Sequence, residues 1–190
     1  MKILPFLPED ISRVRHFADH EIGVGYFSEI ELIENQKKSV NNNGEISSFL
    51  LIDQNSDQVK GLRLAYPPGN WSHGKGSAQR EDLWPFKKNE TAYFQSLFLS
   101  SDVQGIGWGP KLSQMSIDQF KKNKVKGIAT HSWKESPHNS SVRYLEKVGF
   151  ETIIEHPLYW VNVDYVCTRD GKPCRCTAVE MYLKLKQQRV

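Results

Sequence analysis

Three glycines on alternate positions precede a helix-like run in the segment VQGIGWGPKL, residues 103–112. Glycine costs about 0.5–1 kcal/mol relative to alanine in regular structure, so this cluster indicates that something approaches the backbone closely. The apolar segment 92–99 before the loop is typical of a central strand, and the residues after the loop have helical spacing. A strand that ends in a glycine-rich turn and opens a helix directs several backbone N–H groups at one point. The segment therefore predicts an anion-binding turn within an α/β fold.

The spacing of this loop excludes two common phosphate-binding motifs. A Walker P-loop requires GxxxxGK[ST], whereas Lys111 follows Pro110 and precedes Leu112. A dinucleotide fingerprint requires GxGxxG, whereas the glycines at 105, 107 and 109 give GxGxG. The pyrophosphate of coenzyme A remains as a third ligand class that such a loop accommodates.

Strand-like and helical segments alternate along the chain in an order that predicts a mixed α/β sheet. The strand-like segments are 3–7, 47–53, 58–66, 92–99, 125–133, 151–156, 158–166 and 177–185. The turn residues Asn55-Ser56-Asp57 predict that 47–53 and 58–66 form a hairpin. The helical segments are 8–20, 26–38, 110–125 and 138–148. We expect a single domain over residues 1–190, with a long insertion loop at 67–90. The aromatic side chains of that loop, Trp71 and Trp84, either line an acceptor pocket or attach the loop to the body.

Composition and charge limit the classes of partner. The chain has 38% hydrophobic and 25% charged residues and a formal net charge of +3, without a clustered basic face typical of nucleic-acid binding. The basic cluster at 121–126 is explained either by a helix C-terminus or by attraction of a phosphate-bearing ligand. No apolar run is long enough for a membrane span or a signal peptide. We expect a cytoplasmic protein with neither nucleic acid nor membrane as a partner.

Two motifs in register resemble the GCN5-related N-acetyltransferases. Residues 104–109, QGIGWG, match the Q/R-x-x-G-x-G/A motif of that family. Residues 141–150, SVRYLEKVGF, resemble its second signature, and the clear match covers about 92–150. The resemblance implies a mixed, centrally splayed sheet flanked by helices, with acetyl-CoA as co-substrate in the cleft. It also implies transfer of an acetyl group to a primary amine by direct attack in a ternary complex.

The same resemblance assigns the cofactor-binding residues. Backbone groups of Leu97, Phe98 and Leu99 would bind the pantetheine arm, and one of their amides would polarise the thioester carbonyl. The pyrophosphate would be held by Gln104, Gly105, Ile106, Gly107, Trp108 and Gly109. Asn139 would contact the pantetheine or the phosphates, although the asparagine of the family falls nearer to His138.

The catalytic residues are less well matched. The usual acid of the family, a tyrosine, falls at Leu145, so the candidate acid is Tyr144, one residue earlier. In the histone-acetylating members a glutamate base occupies the position of Tyr93, and the segment 92–99 contains no carboxylate. The base is then a water relay or one of three side chains: Glu90, His131 or Glu135.

Three cysteines cluster around a turn signal near the C-terminus, in VCTRDGKPCRC. An odd count argues against a disulfide framework. A hairpin turn at Asp170-Gly171 would pair Cys167 with Cys174 and place Cys176 on the same face. Three thiols are one short of a tetrahedral metal site, and the sequence names no fourth ligand. We therefore expect small, apolar strand residues and no metal.

Two further alternatives stay open at this level. A non-catalytic acyl-CoA-binding or regulatory module on the same fold would also explain the displaced tyrosine and the absent glutamate. As an enzyme, the chain would accept a small-molecule or protein amine. The apolar segment 177–185 fits either a homodimer interface or an internal strand.

Overall fold

A single seven-stranded sheet organises the computed structural model, which describes residues 1–76 and 78–186. The strands lie in the order β1-β2-β3-β4-β5-β7-β6. Their bounds are β1 Lys2–Pro5, β2 Phe49–Ile52, β3 Val59–Tyr66, β4 Thr91–Leu99, β5 Gly127–Trp133, β6 Glu151–His156 and β7 Ala178–Lys184. The β4–β5 pair is parallel and the other neighbours are antiparallel. The β2–β3 hairpin and the central position of β4 confirm two predictions, and β7 is an internal strand.

Four α-helices begin and end where the local sequence provides caps and turns. They are α1 Ile11–Glu21, α2 Glu29–Lys38, α3 Trp108–Lys122 and α4 Ser140–Val148. The Ser28 hydroxyl accepts a hydrogen bond from the Glu31 N–H, 3.1 Å away, at the start of α2. Gly149 ends α4 with a φ of 105°, a left-handed conformation that favours glycine. Among the helices described, none is long and apolar enough to cross a membrane.

The helices cover both faces of the sheet, because successive strand residues point to opposite sides. Tyr93 packs in the cluster that contains Phe17 of α1 and Leu32 of α2. The next residue, Phe94, packs in the cluster that contains Phe120 of α3 and residues of α4. The predicted fold class, a mixed α/β sheet flanked by helices, is therefore confirmed.

The sheet opens in its centre. β4 and β5 pair only over Thr91–Phe94 and Gly127–Thr130. The register of β4 against β3 shifts between Leu64 and Ala65, so that Gln95 forms a bulge. Beyond it, β4 continues along β3 while β5 continues along β7. Each strand then follows its own neighbour, and a cleft opens between them.

Two predictions near the C-terminus are wrong. Residues 158–166 form turns and bends instead of a strand, because their aromatic side chains pack elsewhere: Tyr159 stacks on His131, and Trp160 and Tyr165 pack against the cysteines. The turn at Asp170-Gly171 pairs Cys167 with Gly171 and not with Cys174. The loop between β6 and β7 is therefore irregular over 157–177.

Candidate active site

The central opening of the sheet forms a cleft of about 1010 Å³. One side is formed by the diverging part of β4 and by the glycine loop that leads into α3. The other side is formed by the end of β5 and the start of α4. Part of the loop 157–177 closes one end of it. Along 95–99, the β5-facing edge of β4 pairs with no strand in the described chain, so its backbone groups are available to a ligand.

The glycine loop has the conformation that its sequence predicts. Gly105 and Gly107 have φ values of 73° and 93°, where residues with a Cβ are strained. A Cβ on either residue would meet no atom within 4 Å, so backbone conformation, not space, requires glycine there. Gly107 is the N-cap of α3, and the positive end of that helix dipole points toward the loop. The loop can therefore bind an anion through its backbone.

Most of the predicted cofactor-binding residues meet in this cleft. Those that line it are Leu97, Phe98, Leu99, Gln104, Gly105, Gly107 and Gly109. Three predicted residues lie elsewhere. The Ile106 side chain is 66% exposed, and Trp108 packs against the cluster of Phe49 and Leu112. Asn139 is exposed at the N-cap of α4, where its neighbour His138 lines the cleft instead.

Tyr144 also lines the cleft, and its hydroxyl oxygen contacts both Arg63 and Ser113. The guanidinium of Arg63 donates to the Tyr144 Oη and, at 2.8 Å, to the Ser113 Oγ. The Ser113 hydroxyl contacts the Tyr144 Oη as well. Arg63 is buried and its guanidinium lies 4.3 Å from the centre of the Phe94 ring. When both donors point at the Tyr144 oxygen, its own proton is free to be donated into the cleft.

A second polar network lies beneath the cleft, on the α1 and α2 face of the sheet. The Tyr93 hydroxyl and the His131 Nδ1 are 2.9 Å apart. The His131 Nε2 is 3.5 Å from a carboxylate oxygen of Glu180, which is fully buried. That carboxylate also contacts His156 Nε2 at 2.5 Å and accepts from the Trp84 indole. His131 is the member of this network that lines the cleft.

The charge states of this network follow from its surroundings. Burial lowers the pKa of His131, so that its imidazole is neutral at pH 7. Burial alone would raise the pKa of Glu180, but hydrogen bonds from His131, His156 and Trp84 lower it to about 2. The network therefore pairs a neutral imidazole with a buried carboxylate.

The other two base candidates lie outside the cleft lining. Glu90 forms an ion pair with Lys126, their nearest N and O atoms 2.5 Å apart. The carboxylate of Glu135 accepts a hydrogen bond from the Thr177 N–H at 3.0 Å. Both carboxylates thus have structural partners.

The loop 67–90 is attached to the body by its tryptophans. Trp71 and Trp84 are buried, and Trp71 stacks on Tyr93 with ring centres 4.7 Å apart. The Trp71 indole donates to the Thr91 carbonyl at 3.0 Å. At Gly74, an added Cβ would lie 2.2 Å from the Tyr93 hydroxyl. Of the two interpretations of these tryptophans, attachment is the one that the packing supports.

Among residues 1–76 and 78–186, two groups of side chains could hold a metal ion. One consists of Cys167, Asp170, Cys174 and Cys176, and the other of His131, His156 and Glu180. In each group, all the ligand atoms lie within 4.8 Å of one another. The expectation of no metal stays a prediction.

The sequence reasoning missed Arg63, Ser113 and Glu180. Arg63 and Glu180 did leave a signal, since each is a charged residue inside an otherwise apolar strand, LRLAY and AVEMYL. A charge at a buried strand position requires a partner, and that requirement marks both as functional candidates. Ser113 gives no such signal in the sequence.

The chain is similar in structure to several solved N-acetyltransferases. No protein-family model and no curated protein sequence matches the chain. The ribosomal-protein-S18-alanine N-acetyltransferase from Escherichia coli is 17% identical, with a TM-score of 0.67 over 99% of this chain and 96% of that one. Naa20 from Chaetomium thermophilum, solved with a bisubstrate analogue, is 10% identical, with a TM-score of 0.68 over 98% and 88%.

A third similar structure is a chimera of spermidine N-acetyltransferase SpeG from Vibrio cholerae and hSSAT. It is 17% identical, with a TM-score of 0.64 over 97% of this chain and 96% of that one. An acetyltransferase of the GNAT family from Streptococcus pneumoniae gives a TM-score of 0.66 at 11% identity, over 97% and 99%. The chain therefore has the fold of the GCN5-related N-acetyltransferases.

Proposed function

We propose that the chain is an N-acetyltransferase that moves an acetyl group from acetyl-CoA to a primary amine by direct attack in a ternary complex. The observation that carries this proposal is the free edge of β4 over 95–99, which leads directly into a glycine loop at a helix N-terminus. A strand edge binds amide groups of an extended ligand, and the loop binds an anion. Acetyl-CoA has both parts, a pantetheine arm with amides and a pyrophosphate.

The reaction requires an electrophile, a leaving group and a neutral amine. The amine nitrogen forms a bond to the thioester carbon, the C–S bond breaks, and the thiolate takes a proton. Backbone N–H groups of 97–99 would stabilise the negative charge on the carbonyl oxygen. Tyr144 would donate the proton to the thiolate, since Arg63 and Ser113 can both donate to its oxygen. Positioning of the two substrates supplies most of the rate.

For removal of the proton from the amine, we assign the Nδ1 atom of His131, which would give up its contact with the Tyr93 hydroxyl to take that proton, while Nε2 stays directed at Glu180. Its imidazole lines the cleft, and the buried carboxylate of Glu180 would stabilise the imidazolium that forms. Because burial lowers its pKa, His131 is neutral at pH 7 and can accept a proton. Tyr93 fixes the orientation of the ring through its contact with Nδ1.

The acceptor class is an amine of a small molecule or of a protein. The structurally similar enzymes include a ribosomal-protein-alanine and a spermidine N-acetyltransferase. Around the end of the cleft near α1 lie Glu21, Tyr26 and Lys75. The Lys75 ammonium already lies 4.7 Å from the centre of the Tyr26 ring, so the Glu21 carboxylate is the group of these three that would attract a cationic acceptor.

The alternative is a module that binds an acyl-CoA without turning it over. It is favoured by the absence of a carboxylate from the strand segment 92–99 and by the two bonds that already occupy the Tyr144 oxygen. The two functions predict the same binding and different release of free thiol.

Calorimetric titration with acetyl-CoA, followed by thiol release with a panel of amines, tests both. Gly107→Glu should abolish binding, because it places a side chain at positive φ and a negative charge in the anion site. Met115→Glu adds the same charge on an exposed side chain of α3 and should bind normally. Binding with turnover supports the enzyme, and binding without turnover supports the module. Wild-type protein that binds no acetyl-CoA would refute both.

A further inference from the structure

The loop 157–177 buries three cysteines although it contains little regular structure. It is held by turns and by one isolated bridge, in which Cys167 and Gly171 exchange hydrogen bonds of 2.8 and 2.9 Å. This turn brings Asp170 back toward the sulfurs. All three thiols are buried and free, beside Trp133, Trp160 and Tyr165. Irregular loops longer than about 12–15 residues are uncommon in folded domains, so three buried thiols within this one call for an explanation.

The distances within this group match a tetrahedral metal site. With Zn–S bonds of about 2.3 Å, tetrahedral angles place two sulfurs about 3.8 Å apart. The Sγ atoms of Cys167 and Cys176 are 3.7 Å apart. A sulfur and a carboxylate oxygen on one zinc ion lie about 3.6 Å apart, and Cys176 Sγ is 3.5 Å from Asp170 Oδ2. The ligand atom of Cys174 lies within 4.8 Å of each of the others.

We propose that the three cysteines and Asp170 bind one divalent metal ion, zinc by its ligand chemistry, in a closed tetrahedral site. Asp170 is the fourth ligand that the sequence alone did not name. On binding, each thiol would release its proton to solvent and coordinate as a thiolate. With four protein ligands the site has no open position, so the role of the ion is structural.

The surroundings of the sulfurs are those of thiolate ligands. The Tyr165 hydroxyl donates to the Cys174 sulfur at 3.1 Å. The Arg169 guanidinium lies 3.6 Å from the Asp170 carboxylate. These donors offset the negative charge of three thiolates and a carboxylate, and they orient the ligands.

A disulfide and the second ligand group fit the geometry less well. A disulfide requires sulfurs about 2.05 Å apart, and one between Cys167 and Cys176 would leave the buried Cys174 thiol with the Tyr165 hydroxyl as its partner. In the second group, His156 Nε2 and a Glu180 oxygen are 2.5 Å apart. Two such atoms on one zinc ion would be separated by about 3.4 Å. Direct hydrogen bonding therefore explains that group, and the cysteine group remains as the metal site.

The ion would hold one wall of the cleft. Cys167 and its neighbours Tyr165, Val166 and Thr168 line the cleft. Val166 is 73% exposed and lacks packing to fix it. Coordination of Cys167 would order this stretch. The metal site itself does not depend on acetyl transfer, so its test is independent of the proposed function.

The test measures metal in the full chain, purified under reducing conditions. Elemental analysis and native mass spectrometry should find about one zinc ion per chain. After removal of zinc, added Co²⁺ should produce thiolate-to-cobalt charge-transfer absorption typical of tetrahedral coordination. Cys174→Ser should lose the metal, and Asp170→Asn should weaken its binding by about 10-fold or more. Asp164→Asn, in the same loop and paired with Lys172, is the matched control and should bind as the wild type does.

Three outcomes would overturn the proposal. The reduced wild-type chain could take up neither zinc nor Co²⁺. Mass analysis of the purified wild type could find a disulfide between Cys167 and Cys176. Asp170→Asn and Cys174→Ser could both keep full metal content. The first two measurements use only the wild type, so they decide the matter even if a variant fails to fold.

Discussion

Replacement of the buried carboxylate of Glu180 by an amide should change both the stability of the fold and its dependence on pH. Glu180 is fully buried and its pKa lies at about 2, against an ordinary value of 4.5. Each unit of pKa shift corresponds to about 1.4 kcal/mol of preference for the charged form. The site therefore favours a carboxylate over a neutral group by about 3 kcal/mol. Glu180→Gln should lower the free energy of unfolding by about that amount at pH 7.

The pH dependence has a definite sign. The folded pKa lies below the unfolded one, so the unfolded chain binds the extra proton first as pH falls through 4.5. Between pH 7 and pH 3 the wild type should lose about 2 kcal/mol of its free energy of unfolding through the protonation of Glu180. Glu180→Gln has no carboxyl group at this position and should not show this loss. The gap between the two proteins should shrink from about 3 kcal/mol at pH 7 to about 1 kcal/mol at pH 3.

Urea unfolding followed by tryptophan fluorescence measures this gap. Five tryptophans report the transition, among them Trp84, which donates to the Glu180 carboxylate. Glu146→Gln makes the same change on an exposed residue of α4 and controls for the loss of one charge. A gap that stays constant from pH 7 to pH 3 would refute the assignment of Glu180 as a charged group held by buried donors.

Three further predictions concern other parts of the chain. If the proposed function is correct, Tyr144→Phe should lower the turnover number by about 100-fold or more and leave the Kd for acetyl-CoA unchanged. A turnover number equal to that of the wild type would exclude Tyr144 as the acid. Gly76→Ala should lower the free energy of unfolding by about 1–3 kcal/mol, because its Cβ would lie 2.5 Å from the Tyr159 carbonyl oxygen; unchanged urea unfolding would contradict this. Lys122→Ala should raise the pKa of Glu45 from about 2 toward its ordinary value of 4.5, because the Lys122 hydrogen bond is the largest contribution to that shift. An NMR titration checks this, and a value still near 2 would show that Asn41 and Asn123 suffice.

Local sequence signals predicted the parts of the fold that depend on local backbone chemistry. The glycines at 105 and 107 predicted a turn at positive φ before α3, and Gly149 predicted the end of α4. The turn residues Asn55-Ser56-Asp57 between the strand-like segments 47–53 and 58–66 predicted the β2–β3 hairpin. In each case the signal lies within a few residues of the structure that it determines.

Features that depend on partners distant in the chain could not be predicted in this way. Arg63 reaches Ser113 and Tyr144, which follow it by 50 and 81 residues. The segment 158–166 has the composition of a strand, yet it forms turns and bends in which Tyr159 stacks on His131 of β5. Asp170 becomes a ligand candidate only because its turn folds back on Cys167. Pairings of this kind are decided by the whole sheet.

The break in the centre of the sheet also determines how the molecule opens. Backbone pairing joins β1–β4 to β5–β7 only over Thr91–Phe94 and Gly127–Thr130. The two half-sheets thus meet along a short ladder and diverge beyond it. A ligand that hydrogen-bonds to the free edge of β4 and also contacts β5 would link the two strands where they do not pair with each other. Because such a ligand binds the folded chain, its binding free energy adds to the free energy of unfolding. The stability of the chain should therefore rise as the cleft is filled.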